Sequence, residues 1–263
     1  LNNLNFLCNM INNKLIKNKK NILREFDKEK YGNLLKKINF KTNLRKCEEL
    51  LNNFNSPNET FFKKNLNNKK IIKKFILKYS KKSSTIVECG CGYGSIGLYL
   101  LNSIKFKKKK FIFLDISKNA IQVLNKIAKN LRINKNKFKT GLIDIYNCIL
   151  DKKIKIPKNS TIFTSSAMHY KKKHNKKFID FFLNFQFEHL IFFEPIYEHN
   201  KNNKKILNYI EKNNYSQNFL TVLKNSPKIQ IIFERKNIYF FNKFFLYYLI
   251  IIKKIYINYI CKN

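Results

Sequence analysis

Glycine and proline are scarce in this chain, six and four residues of 263, which excludes a collagen-like repeat and argues against a long flexible linker. Cysteine is sparse too. Of six, Cys8, Cys47, Cys148 and Cys261 stand alone, so no disulfide framework is implied. Only Cys89 and Cys91 are closely spaced, and no second Cys or His pair follows at the intervals of a structural zinc site, so no metal is expected. Acidic residues number 16 against 54 Lys and Arg, a formal net charge of +38 that rules out an acidic disordered tail. Arginine is also rare, limited to Arg24, Arg45, Arg132 and Arg235. Nucleic-acid surfaces favour Arg, whose planar fork pairs bidentately with phosphate and bases. A Lys excess that rises with Asn and Ile is instead what an A+T-rich genome produces. The charge still attracts polyanions, in a way that salt weakens. Long apolar runs are missing: Phe244 to Ile252 has nine residues, about half of the ~18 a spanning helix needs, and reads as a buried strand. The N-terminus, Leu-Asn-Asn-Leu-Asn-Phe, is too polar for a signal peptide and lacks an initiator Met, so a fragment of a cytoplasmic protein is expected.

What is present suffices for a packed core, with 44% hydrophobic and 15% aromatic residues. Residues 1–82 carry helical patches at Ile22–Phe26, Leu34–Ile38, Cys47–Phe54 and Ile71–Tyr79, with a stop at Ser56-Pro57, and read as a helical cap. Lys81-Lys82-Ser83-Ser84 is the expected boundary, which leaves 83–263 as a second domain. There, short apolar runs (Thr85–Val87, Phe111–Leu114, a weak one near Phe138, Ser160–Phe163, Leu190–Phe193) alternate with helix-length segments at Ile96–Ile104, Ala120–Leu131 and Lys176–Phe185. That alternation predicts an α/β domain with a parallel sheet and helices on both faces. Lys228–Phe233 and Phe245–Ile252 are strand-like with no helix between them and predict a C-terminal β-hairpin.

Four of the six glycines fall in Gly90-Cys91-Gly92-Tyr93-Gly94-Ser95-Ile96-Gly97, between the first strand and a helix. Glycines there let the backbone turn sharply and approach a ligand. Asp115 ends the second strand, 25 residues after Gly90, where a carboxylate can accept hydrogen bonds from both hydroxyls of a ribose. No Gly-Lys-Ser/Thr phosphate loop is present. Glu88, just before the loop, would repel phosphate and suits a cationic ligand bearing an ammonium group, such as S-adenosylmethionine (SAM).

These residues resemble the class I SAM-dependent methyltransferases, whose first motif, an acid followed by Gly-x-Gly-x-Gly, is matched by Glu88, Gly90, Gly92 and Gly94. Asp115 matches their second-strand acid. The resemblance spans about Lys82 to the C-terminus and implies a Rossmann-like, seven-stranded sheet whose final strand is antiparallel. It implies S-adenosyl-L-methionine as cofactor, held by Glu88, Cys89, Gly90, Cys91, Gly92, Gly94, Asp115, Ile116 and Ser165. Many relatives place an acid after the third strand against adenine; Leu142 stands there, and Asp144 is the candidate, shifted by two residues, with a solvated loop acid as the alternative.

Acceptor chemistry is sought after the fourth and fifth strands. An Asn-Pro-Pro-Tyr signature for base amino groups is absent, and no Cys follows the fourth strand closely enough to suggest a base-attacking thiol. His169 is a candidate general base for a hydroxyl, the alternative being a structural histidine. Glu194, at the end of a hydrophobic strand, is the second catalytic candidate, the alternative being a capping or surface acid. His174, within Lys171–Lys177, reads as part of a solvated face. Phe163-Thr164, Glu194–Glu198, Asn214–Asn218 and Asn242 are similar to small bacterial methyltransferases found with surface-saccharide biosynthesis genes. That resemblance implies O-methylation of a small-molecule or saccharide hydroxyl. Tyr31-Gly32 is read as an ordinary helix turn or as a contribution of the cap to the pocket. An RNA methyltransferase or a noncatalytic polyanion-binding protein are the competing readings of the basic surface.

Overall fold

The computed structural model describes residues 23–52, 59–200, 202–242 and 245–255. A π-helical segment, Leu23–Gly32, is followed by α1 (Asn33–Lys37), α2 (Leu44–Asn52) and α3 (Glu59–Tyr79). The described parts of the expected helical patches fall within these elements except Ile38, which is extended just past α1, while Ser56-Pro57 lies outside the described residues. The chain then alternates as expected: β1 (Thr85–Cys89), α4 (Ser95–Leu101), β2 (Lys110–Asp115), α5 (Lys118–Asn130), β3 (Phe138–Asp144), β4 (Ile149–Leu150), β5 (Thr161–Ser165), α6 (Lys176–Leu183) and β6 (His189–Pro195). Two helices that the apolar pattern did not announce, α7 (Lys204–Lys212) and α8 (Phe219–Lys224), precede β7 (Ile229–Asn242) and β8 (Phe245–Lys254).

The strands form one sheet in the order β4-β3-β2-β1-β5-β6-β8-β7. β3, β2, β1, β5 and β6 are parallel, and β8 and β7 add antiparallel at the far edge. Eight strands replace the expected seven because two-residue β4 folds back on β3, pairing Ile143 with Leu150 and Asp144 with Ile149. Two residues carry too little hydrophobic pattern to register as a strand in sequence.

Alternation along each strand sends neighbouring side chains to opposite faces. Ile86, Phe113 and Phe163 pack with Ile72 and Ile76 of α3 and Leu124 of α5. Val87, Ile112 and Ile162 pack on the other side with Phe178 and Phe182 of α6 and Phe219 of α8. Both faces are covered, so the strands read as continuous apolar runs. The run near the C-terminus is accordingly a core strand, with Leu249, Ile250 and Ile251 fully buried. No helix among the described residues is long and apolar enough to cross a membrane.

The segment after α3 is tied down. Lys109 Nζ donates to the carbonyls of Ser80 (2.7 Å), Lys81 (3.2 Å) and Ser83. β1 therefore starts from a fixed point, and the chain order reverses between β1 and β5, the position where open α/β sheets bind ligands.

His174 departs from the solvated face expected of its Lys-rich neighbourhood. It is buried, its ring packed against Phe178 (4.7 Å) and Phe219 (5.3 Å), with Nε2 3.1 Å from the Met168 carbonyl. Nε2 must donate to that carbonyl, and Nδ1 has no partner. Burial, helped by Lys171, lowers its pKa to about 4 despite the Met168 bond. The unfolded chain then binds the extra proton first as pH falls. The stability that His174 contributes as a neutral ring, on the order of 3 kcal/mol, is complete above about pH 6.5 and lost progressively down to about pH 4. Denaturant melts at pH 7 and pH 4.5 are expected to show this loss in wild type and a smaller one in His174→Phe; equal losses would refute it.

Candidate active site

At the carboxyl ends of β1, β2, β3 and β5 lies a cleft of about 450 Å³. Its floor is the glycine loop. The Gly90 and Cys91 amides donate to the Leu114 carbonyl at 2.7 and 3.0 Å, which draws the loop against β2. Gly90 (φ +77°) and Gly92 (φ +53°) adopt the left-handed region, and each lacks room for a side chain. A Cβ on Gly90 would meet the Ala167 Cβ at 2.4 Å, and one on Gly92 the Tyr31 hydroxyl at 2.5 Å.

Asp115 closes the loop from the β2 side. Its Oδ2 accepts the Gly92 amide at 2.7 Å and its Oδ1 the Ser117 amide at 2.9 Å. Burial raises its pKa, and the Ser117 and Gly92 amides and the Lys30 charge oppose that rise. Ser117 in turn caps α5 and holds the N-terminal segment: its hydroxyl donates to Asp27 Oδ1 at 2.7 Å, which also accepts the Asn119 amide at 2.9 Å. This clasp brings Phe26, Lys30 and Tyr31 of the π-helical segment to the cleft wall.

Glu88 is 2% exposed, and its Oε2 has no hydrogen-bond partner. Burial pushes its carboxyl well above the usual range; the Gly97 amide opposes this, Asp115 adds to it and Lys69 opposes it. Lys69 also lines the cleft and forms a buried ion pair with Glu48, whose Oε1 accepts the Ser95 hydroxyl at 3.2 Å.

Of the residues singled out in sequence, Glu88, Gly90, Cys91 and Gly92 line this cleft, together with Asp115, Ile116, Ser165 and His169. Four do not. Cys89 points into the core on the other face of β1. Gly94 packs under α5, where a Cβ would meet Leu124 at 2.8 Å. Asp144 folds back on its own turn, accepting the Asn147 amide (3.1 Å) and Nδ2 (2.8 Å), while Ile143, Ile145 and Tyr146 supply the β3 side of the wall. Glu194 is 1% exposed and faces the β5 turn: Oε1 accepts the Thr164 hydroxyl (2.8 Å) and the Ala167 amide (3.0 Å), and Oε2 accepts the Met168 amide at 3.1 Å. With those partners it anchors the turn carrying Ser165 to His169. His169 Nδ1 lies 3.7 Å from Glu194 Oε2, within ion-pair reach and beyond hydrogen-bond distance.

Sequence reasoning missed the tyrosines. Tyr146, Tyr170, Tyr209, Tyr215, Tyr239 and Tyr247 line the cleft from five separate stretches of chain. Burial raises Tyr170, Tyr239 and Tyr247 above the ordinary phenol value, which keeps them neutral. One signal was available, since Tyr239 and Tyr247 sit on the two expected terminal strands or beside them; only their register makes them partners.

No family model matches the sequence, and no curated protein matches it either. The fold has relatives. It is similar to magnesium protoporphyrin IX methyltransferase from Synechocystis PCC 6803 with bound SAH, at a TM-score of 0.57 and 13% identity over 89% of this chain and 99% of that one. The same enzyme with bound SAM gives 0.52 and 12%, over 90% and 97% of the two chains. Geranyl diphosphate C-methyltransferase from Streptomyces coelicolor, in complex with Mg2+, geranyl diphosphate and S-adenosyl-L-homocysteine, gives 0.51 and 12% over 71% and 79%. At such identities the likeness is one of fold: an α/β mixed sheet flanked by helices.

Proposed function

We propose that this protein is a SAM-dependent methyltransferase acting on the hydroxyl of a small molecule. The observation that carries the reading is the pairing of two buried acids, Glu88 and Asp115, in one cleft with the glycine loop. A buried carboxyl beside a second acid is costly unless a cation offsets it, and an ammonium group does so. The left-handed backbone at Gly90 and Gly92 turns the loop sharply between β1 and α4 and leaves it free of side chains where a nucleoside would lie against it. The residues present therefore fit SAM. Gly90, Cys91 and Gly92 would hold it through the backbone, Asp115 through the ribose hydroxyls, Ile116, Ile143 and Ile145 through apolar contact with adenine, and Ser165 at the β5 end. When bound, SAM supplies an electrophilic methyl group on a sulfonium.

The acceptor hydroxyl loses its proton as it gains the methyl, and His169, in the cleft beside the β5 turn, takes that proton. Glu194 is a positioning residue: it holds the turn and faces Nδ1, which leaves Nε2 for the acceptor. Catalysis otherwise rests on alignment of acceptor and donor in a walled cleft.

Residues 1–82 act on this reading as a helical cap and 83–263 as the methyltransferase domain, supported by the cap residues Phe26, Lys30, Tyr31 and Lys69 in the cleft wall. A saccharide hydroxyl is the acceptor class suggested by the narrower sequence resemblance. A cytoplasmic setting belongs to the same reading, supported by the free thiols of Cys47, Cys89, Cys91 and Cys148. Lys30 and Lys69 alone represent the large positive charge at the cleft, each opposed by an acid, which supports a small acceptor over RNA.

Titration calorimetry tests the reading. SAM and S-adenosylhomocysteine are expected to bind with roughly micromolar affinity and to raise Tm by mass action. Because the raised pKa of Glu88 favours its neutral form and a cation favours its carboxylate, binding should release a proton. Affinity should therefore fall as pH drops, and the heat should scale with buffer ionisation enthalpy in wild type but not in Glu88→Gln. If neither ligand binds, the reading is wrong.

A further inference from the structure

The cleft is divided by chemistry. Its charged groups gather at the glycine-loop end: Glu88 and Asp115, with Lys30 acting on Asp115 and Lys69 on Glu88. Asn65 and Asn68, the amide side chains in the wall, stand on α3 within a turn of Lys69. Beyond Ser165 the wall changes to aromatic rings. Tyr239 and Tyr247 are cross-strand partners on β7 and β8, their rings stacked at 4.5 Å and 19°. Their hydroxyls are directed at the β5 turn, Tyr239 to Ser165 Oγ at 3.3 Å and Tyr247 to Ser166 Oγ. Across from them Tyr170 lies 3.9 Å from the His169 ring, and Tyr215 meets both edge-on, at 4.9 and 5.8 Å. Phe26 closes on Tyr170 edge-on at 5.0 Å.

Each candidate acceptor makes a different demand on such walls. A phosphorylated or carboxylated acceptor needs a cation; of the two lysines of the lining, Lys69 is paired with Glu48, and Lys30 stands over the Phe26 and Tyr31 rings at 5.0 and 5.4 Å with its charge acting on Asp115. An amine needs a carboxylate, and Glu194 is already spent on Thr164, Ala167 and Met168. A sugar needs several planar polar side chains to bind its neighbouring hydroxyls. Here the serines nearest the rings are engaged by tyrosines, and among the described lining residues no Gln, Arg or Asp stands on that side. Ring faces and edges are what this end offers, and those suit an offset-stacked or edge-on aromatic partner.

We infer that the acceptor is an uncharged planar aromatic ring carrying a hydroxyl, seated among Tyr170, Tyr215, Tyr239 and Tyr247 with that hydroxyl toward His169. The inference rests on the methyltransferase reading and sharpens its acceptor from any small hydroxyl to a phenol, in place of a saccharide.

Fluorescence titration with 2-naphthol, against methyl α-glucopyranoside followed by competition, tests it on the full chain with and without saturating S-adenosylhomocysteine. The chain contains no Trp, so naphthol emission is read without interference from indole. Naphthol is expected to bind at least roughly tenfold more tightly than the glucoside; Tyr239→Ala should weaken it by about tenfold, and Tyr239→Phe, which keeps the ring, should stay close to wild type. S-adenosylhomocysteine affinity should hold in both variants. Glucoside binding equal to or tighter than naphthol in wild type overturns the inference, as does naphthol affinity unchanged in a folded Tyr239→Ala. Should Tyr239→Ala fail to fold, the wild-type comparison and Tyr239→Phe decide. Failure of S-adenosylhomocysteine to bind would instead sink the methyltransferase reading, whatever naphthol does.

Discussion

His169→Ala is expected to lower kcat by about 10²- to 10⁴-fold while SAM affinity stays close to wild type. The imidazole lines the cleft from the β5 turn and belongs to neither the glycine loop nor β2, so its removal takes away the proton acceptor and leaves Gly90 to Gly92 and Asp115 in place. The wild-type rate should also fall on acidification, because an imidazolium accepts no proton. Glu194→Gln gives the contrast. The amide retains one oxygen for Thr164 and Ala167 but turns a donor toward the Met168 amide, so the turn loosens. Its main effect should be a lower Tm, with a smaller loss of kcat than His169→Ala. Turnover measured with both variants decides: a crippled Glu194→Gln beside an active His169→Ala would make the carboxylate the base and the histidine structural.

Asp115→Ala should weaken SAM and S-adenosylhomocysteine by about 1 to 3 kcal/mol, or roughly 5- to 150-fold in Kd. Two losses combine. The ribose hydroxyls lose their acceptor, and the Gly92 and Ser117 amides lose the oxygens that hold loop and helix together. Asp115→Asn retains one acceptor and should fall between alanine and wild type. Calorimetry on folded variants is the measurement, and an unchanged affinity in Asp115→Ala would move the ribose contact elsewhere in the cleft.

Where sequence and structure diverge, the cause is a side-chain contact that no residue pattern announces. Asp144 was a fair candidate by position, yet Asn147, three residues on, captures both of its oxygens. Glu194 carried a sound argument, that a buried acid must be paired or used; the structure pairs it, with three donors from residues about thirty positions earlier. His174 looked solvated among lysines because charge is visible in a sequence and the flanking rings of Phe178 and Phe219 are not.

The sequence alone determined the alternating α/β pattern, the glycine loop and the two acids that face it. All of these depend on local rules: apolar runs of strand length, backbone angles open only to glycine, and short spacings along one strand-turn-helix unit. Tertiary structure decided the rest. The aromatic acceptor wall draws on Phe26 and on tyrosines from 146 to 247, and the clasp of Asp27 on Ser117 spans 90 residues. Such groupings follow from strand order and register, which bring remote segments together only when the sheet assembles, and no periodicity within either segment encodes the meeting.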